Sequence, residues 1–206
     1  GGFLGLKLTV GFYGLYDLRE REWGDFVDEK ELREKALRYI EEHFTMTLAT
    51  FAEGRLWAAP VFYASSGFTL YFVSNPNVCL HSQNIEKNPV VAITIYEDYR
   101  LKKLHDWKKI KGIQMLGKAK RLEEEEEIVE ALRVYVRKYP FTAVYFNLLF
   151  KFPKAVKILE GFVKKSPFKP EFTASFENSF YKVDPLEVWF VDNEVSFERR
   201  QKVPLL

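Results

Sequence analysis

Residues 70–90, LYFVSNPNVCLHSQNIEKNPV, carry the densest set of groups able to grip a ligand. An aromatic, β-branched run ends in Ser74, a polar stretch follows, and a short helix is expected over 78–87, stopped by Asn88-Pro89. The first turn of such a helix has amides without intrahelical acceptors and the positive end of the helix dipole, so it can bind phosphate through backbone alone. Ser74, His81 and Ser82 would add hydroxyl and imidazole donors beside it. A plain connector helix carrying an exposed His is the competing reading of the same residues. Elsewhere the reactive types read as structural. His105-Asp106 sits in a Lys-rich loop and is expected in solvent, and His43 ends a helix, where a cation is favourable. Cys79 near a helix start is expected to pack rather than react. Residues 11–14 lack the spacing of a dinucleotide loop. No Cys/His cluster has zinc-ligand spacing, so no metal is expected, and no residue stands out as a catalytic acid or base.

The elements that must position these groups are mostly strands. Residues 28–43 form a first helix: Asp28 is the N-cap, Glu31 completes a capping-box pattern, and Leu32, Ala36, Tyr39 and Ile40 fall on one face. Residues 44–51 alternate, with Phe44, Met46 and Leu48 expected on one side. A turn at 52–55 leads to a strand over 56–63 that contains Pro60, which signals a bulge, an edge or a close approach to the backbone. Residues 68–73, 90–97 and 110–122 read as further strands, and Gly112 and Gly117 suggest bulges in the last. Residues 123–139 are a helix whose run of five Glu suits the positive end of its dipole better than a metal. An aromatic stretch at 141–152, a helix at 154–163 and short strands at 180–183, 187–191 and 196–199 complete the chain. Five antiparallel strands with one helical connection favour a closed barrel, because closure removes exposed edges.

Bulk properties narrow the class. A chain of 206 residues that is 47% hydrophobic, with 19 Phe and 11 Tyr, is too apolar for disorder and long enough to bury a core without staples. A net charge of +2 gives no global reason to expect nucleic acid or an anionic membrane as partner, and no uncharged apolar run is long enough to span a bilayer. The single cysteine fits a reducing, cytoplasmic setting. Residues 1–16 lack the basic start and cleavage site of a signal peptide and read as an arm or an expression remnant. The expected organisation is an N-terminal arm over 1–27 and one domain over 28–206 with a helical insertion at 123–165.

The order of these pieces resembles the FMN-binding split barrels of the pyridoxamine 5′-phosphate oxidase-like superfamily. The resemblance rests on Thr47-Leu48-Ala49-Thr50, Ala59-Pro60-Val61-Phe62-Tyr63, Phe72-Val73-Ser74, His81-Ser82-Gln83-Asn84, Asn88-Pro89-Val90-Val91-Ala92 and Ile113-Gln114-Met115-Leu116-Gly117-Lys118-Ala119. It implies a mainly β fold with added helices, an antiparallel Greek-key-like split barrel, and FMN held at a homodimer interface. By the same resemblance Ala58, Ala59 and Pro60 would lie along the flavin ring, Ser74, His81 and Ser82 would hold the phosphate, and Gln114 would reach the ring or phosphate. Trp107 would contact the partner's flavin or a substrate. Where the true oxidases carry Arg and then Lys, this chain has Leu80 and His81, and the tail lacks their His-Asp-Arg substrate signature. The expected function is therefore a flavin-linked oxidoreductase acting on a small molecule other than the vitamin. The alternatives are a non-catalytic flavin-binding or storage dimer, or a split barrel that takes deazaflavin or haem.

Overall fold

The computed structural model describes residues 28–144, 178–196 and 199–206. Helix α1 (Glu29–Glu42) starts at Asp28, whose Oδ1 accepts from the Lys30 amide at 3.1 Å. Glu31 does not close a capping box: it pairs with Lys35 one turn on, at 2.8 Å. The four apolar positions expected on one face are all buried.

Strands β1 (Thr45–Ala52) and β2 (Arg55–Ser66) are joined by Glu53-Gly54, both at positive φ (51° and 77°). That two-residue turn matches the twist of a hairpin. Strand β3 (Thr69–Ser74) leads to α2 (Leu80–Lys87), then β4 (Val90–Tyr96), a 3₁₀ turn at Asp106–Lys109 and β5 (Lys111–Arg121). Helix α3 (Glu125–Lys138), a second 3₁₀ turn at Pro140–Val144, β6 (Ser179–Asp192) and the short β7 (Arg200–Lys202) follow. The expected arm at 1–27, most of the aromatic stretch and the 154–163 helix lie outside the described residues.

All strands are antiparallel, in the order β3-β2-β1-β4-β5-β6-β7, and β3 also pairs with β6. Six strands thus close into a barrel, one more than five, because the tail supplies the closing strand. The order 3-2-1-4 is a Greek key. The sequence suggested two strands at 180–183 and 187–191. They are one strand, β6, which absorbs Pro185 through a bulge: the register slips between Leu116 and Gly117, leaving Leu186 unmatched. Gly117 is needed there, since a Cβ would lie 2.6 Å from Val183 Cγ1 and 2.9 Å from the Asp184 carbonyl. Gly112 shows no register slip.

The barrel is filled by inward side chains, among them Met46, Leu48, Phe72, Ile93, Ile113 and Tyr181. Phe44 does not join them: it precedes β1 and is exposed. Helix α1 plugs one end, where the Tyr63 hydroxyl donates to the Ile40 carbonyl at 2.6 Å and that of Tyr39 to the Lys111 carbonyl at 2.8 Å. Helix α2 covers the other end, tied by Asn84 Nδ2 to Thr50 Oγ1 (3.1 Å) and by Asn88 Nδ2 to the Phe51 carbonyl (2.9 Å). Helix α3 packs Leu132, Tyr135 and neighbours on the outside of the wall, against Ala64, Tyr71 and Phe180. Its last residue, Lys138, reaches back to α1, donating to the carbonyls of His43 and Ile40 with its ammonium 4.4 Å from the Tyr63 ring centroid.

Candidate functional site

Strand β2 changes partners along its length. Residues 55–62 pair with β1, whereas only Tyr63–Ser66 pair with β3. No described strand covers the second edge of 55–62. The Tyr63 amide donates to the Phe44 carbonyl on the β1 side. Amide and carbonyl directions alternate along an antiparallel strand, so Leu56, Ala58, Pro60 and Phe62 turn theirs to the open edge. Pro60, expected to mark a bulge or an edge, therefore lies in register opposite Thr47 with its missing N–H on the unpaired side. The register that pairs Tyr63 with Phe72 would set Ser74 opposite Val61. Residues 74–79, which lead into α2, thus face the open edge across the split between β2 and β3.

At the start of α2 the amides of Cys79, Ser82 and Gln83 are satisfied by backbone carbonyls, while those of Leu80 and His81 have no backbone acceptor among the described residues. Beneath this turn lie the three side chains expected to hold phosphate, and they are engaged with one another. Ser82 Oγ donates to Ser74 Oγ at 2.8 Å, and Ser74 Oγ shares a hydrogen bond with His81 Nε2, also 2.8 Å away. Burial lowers the pKa of His81 and favours its neutral form. All three are buried, and the hydroxyl of Tyr181, also buried, lies within reach of the Ser82 side chain.

The outer wall of the barrel forms a second surface. Opposed residues share a face of the sheet, so Pro60, Thr47, Thr94, Gln114, Trp189 and Lys202 form one outward row. A hollow of about 250 Å³ opens at one end of that wall, lined by Thr45, Met46, Thr47, Pro60, Thr94, Tyr96 and Asp98. Gln114 stands three strands from Pro60, roughly 14 Å at the usual strand spacing. Its Oε1 accepts from Arg200 Nη1 at 2.8 Å, and the Arg200 guanidinium lies 4.6 Å from the Trp189 ring centroid. The same wall exposes Leu56, Phe62, Phe51, Val90, Tyr96 and Leu116.

The structure therefore distributes the expected residues over four places. Ala58 and Pro60 are exposed on the outer face of β2, while Ala59 points into the barrel, opposite Leu48. Ser74, His81 and Ser82 cluster under α2, and Gln114 stands farther along the wall. Trp107 belongs to the loop at the far end of the barrel, where its carbonyl accepts from Asn193 Nδ2 at 3.1 Å. Thr47, Thr94, Trp189 and Arg200 were not singled out from sequence. The alternation of β4 marks Thr94 as outward, but only the register shows that it meets Thr47 and Pro60.

Comparison with known proteins agrees with this architecture. No curated protein matches the sequence. Among solved structures the chain is similar to a haem-binding protein from Mycobacterium smegmatis, with a TM-score of 0.55 and 16% identity over 82% of this chain and 57% of that one. It therefore spans little more than half of that protein's length. It is also similar to a candidate pyridoxamine 5′-phosphate oxidase from Listeria innocua (TM-score 0.50, 17% identity, 78% of this chain and 98% of that one). An FAD-binding protein from Mesorhizobium loti gives a TM-score of 0.50 at 13% identity, over 76% of this chain and 90% of that one. At these identities the shared property is the fold. The sequence profile of the pyridoxamine 5′-phosphate oxidase family matches residues 32–192, which takes in the whole barrel and α2, and the chain belongs to that family.

Proposed function

We propose that the chain binds FMN in the split between β2 and α2 and uses it, as a homodimer, in an oxidoreductase reaction on a small molecule. The observation that carries the reading is the open edge of β2 at residues 55–62, facing the first turn of α2. The donor set fits such a ligand. Backbone amides and carbonyls of Ala58 and Phe62 suit the polar edge of a flat ring, and the small side chain of Ala58 and the ring of Pro60 leave room beside it. The unpaired amides of Leu80 and His81 suit a phosphate. The buried hydroxyl of Tyr181, beside Ser82, is a further donor under the same turn. Flavin, when bound, supplies the electron transfer. The chain's own residues would hold the phosphate, hydrogen-bond the ring and wall it from water. His81, held neutral by its burial, would add positive charge to the phosphate site on taking up a proton.

The separation of Gln114 from Pro60 bears on assembly. One ring touching both residue types would draw them from two copies, and the apolar outer wall suits such a contact. Among the described residues no His or Cys lines the hollow on the outer wall, so a haem there would find no axial ligand among them. The decisive experiment compares FMN with riboflavin by flavin fluorescence quenching. FMN should bind at least about tenfold more tightly, the equivalent of roughly one or two charge-assisted hydrogen bonds. Equal affinity would remove the phosphate from the α2 turn and sink the proposal.

A further inference from the structure

The loop between β4 and β5 carries a charge distribution that the net charge conceals. Residues 100–111 contain Arg100, Lys102, Lys103, Lys108, Lys109 and Lys111 against one acid, Asp106. That segment is +5, so the other residues together are −3, since the chain totals +2.

The single acid is turned inward. Asp106 accepts from the amides of Lys102 (2.9 Å) and Lys103 (2.8 Å), pairs with Lys109 Nζ at 2.9 Å, and is buried. The Lys109 ammonium and those two amides hold its carboxyl down at about 2, so it stays charged and spent on the loop's own frame. Lys111 is likewise matched, by Asp192 and Glu194. Of the acids just before the loop, Glu97 lies 4.0 Å from His43, and Asp98 lines the hollow. Arg100, Lys102, Lys103 and Lys108 have no carboxylate within ion-pair distance among the described residues, and all four are exposed. Between them stand Leu101, 56% exposed, and Leu104, 85% exposed. The loop is fixed at its base, where Asn193 donates through Nδ2 to the Trp107 carbonyl and through its amide to that of Ile110.

We propose that residues 100–108 form a docking surface for an anionic lipid bilayer. Four unmatched cations on a preformed loop meet the negative headgroup layer, and Leu101 and Leu104 enter the boundary between headgroups and acyl chains. The leucines decide between polyanions: aliphatic tips bond neither phosphates nor bases, so a nucleic acid would leave two exposed leucines of the loop without a role. The surface sits at the end of the barrel opposite α2, so docking there is independent of the flavin reading.

The test is co-sedimentation of the full chain with vesicles of phosphatidylcholine, alone or with about 30 mol % phosphatidylserine. Binding should be at least about tenfold stronger to the anionic vesicles and should fall when salt is raised well above roughly 0.15 M. Lys102→Gln/Lys103→Gln should weaken it about tenfold or more, and Leu101→Ser/Leu104→Ser several-fold while keeping the salt dependence. Thermal unfolding by circular dichroism confirms that each variant folds; these side chains are exposed, so melting should not move. Equal binding to both vesicles overturns the proposal. So does binding to short duplex DNA without binding to vesicles, or a leucine variant that binds as wild type.

Discussion

His81 shows how a residue chosen for chemistry is held by structure. Its imidazole is hydrogen-bonded to Ser74 under α2, and burial keeps its pKa below the ordinary value. An unfolded chain therefore takes up this proton first as the solution is acidified. Stability from neutral His81 is full above about pH 6.5 and is lost as pH falls from there through the lowered folded value. Urea unfolding between roughly pH 7.5 and 5 should show stability declining toward acid, and His81→Gln should flatten that decline. Parallel slopes for the two proteins would mean that His81 is not the neutral buried group described. Reading the sequence grouped Ser74, His81 and Ser82, and the structure brings their side chains into contact. It expected them to face a ligand, and their direction was not legible: spacing fixes which side of a helix a residue occupies, not whether that side meets solvent or the mouth of a barrel.

At the scale of elements, the hydrophobic alternation of β1 and β4 and the Gly and Asn-Pro punctuation located strands and turns well. What failed was context. Pro185 broke the tail into two expected strands, yet a bulge at Leu186 opposite Gly117 carries β6 through it. Gly117→Ala should therefore cost about 1–3 kcal/mol, because the new methyl meets Val183 and the Asp184 backbone rather than space. A chemical-denaturation midpoint unchanged from wild type would show that the bulge can relax. Pro60 was legible as an edge signal, but which edge stays open depends on where β3 stops pairing, and nothing local encodes that. Lys138 was likewise invisible. It satisfies carbonyls at the end of α1 from the end of α3, two helices far apart in sequence, although burial lowers its pKa to about 8.

For the whole molecule, the outer wall is the feature that calls for a partner. Leu56 and Phe62 on β2 and Val90 and Tyr96 on β4, either side of β1, stand exposed, and a second copy would cover them. Sedimentation velocity at micromolar concentration should find one species near twice the 24.3 kDa chain mass. A stable monomer would leave the split without its second wall. Closure of the barrel has a different consequence, in time rather than space. The strand that seals it, β6, follows the other five barrel strands in the chain and pairs with both β3 and β5. As the chain leaves the ribosome, β1 to β5 emerge first as an open sheet with two unpaired edges, which stay open until β6 is free. Ring closure joins segments distant in sequence and is intrinsically slow. The nascent protein thus passes through an interval in which its own fold is a template for wrong pairing.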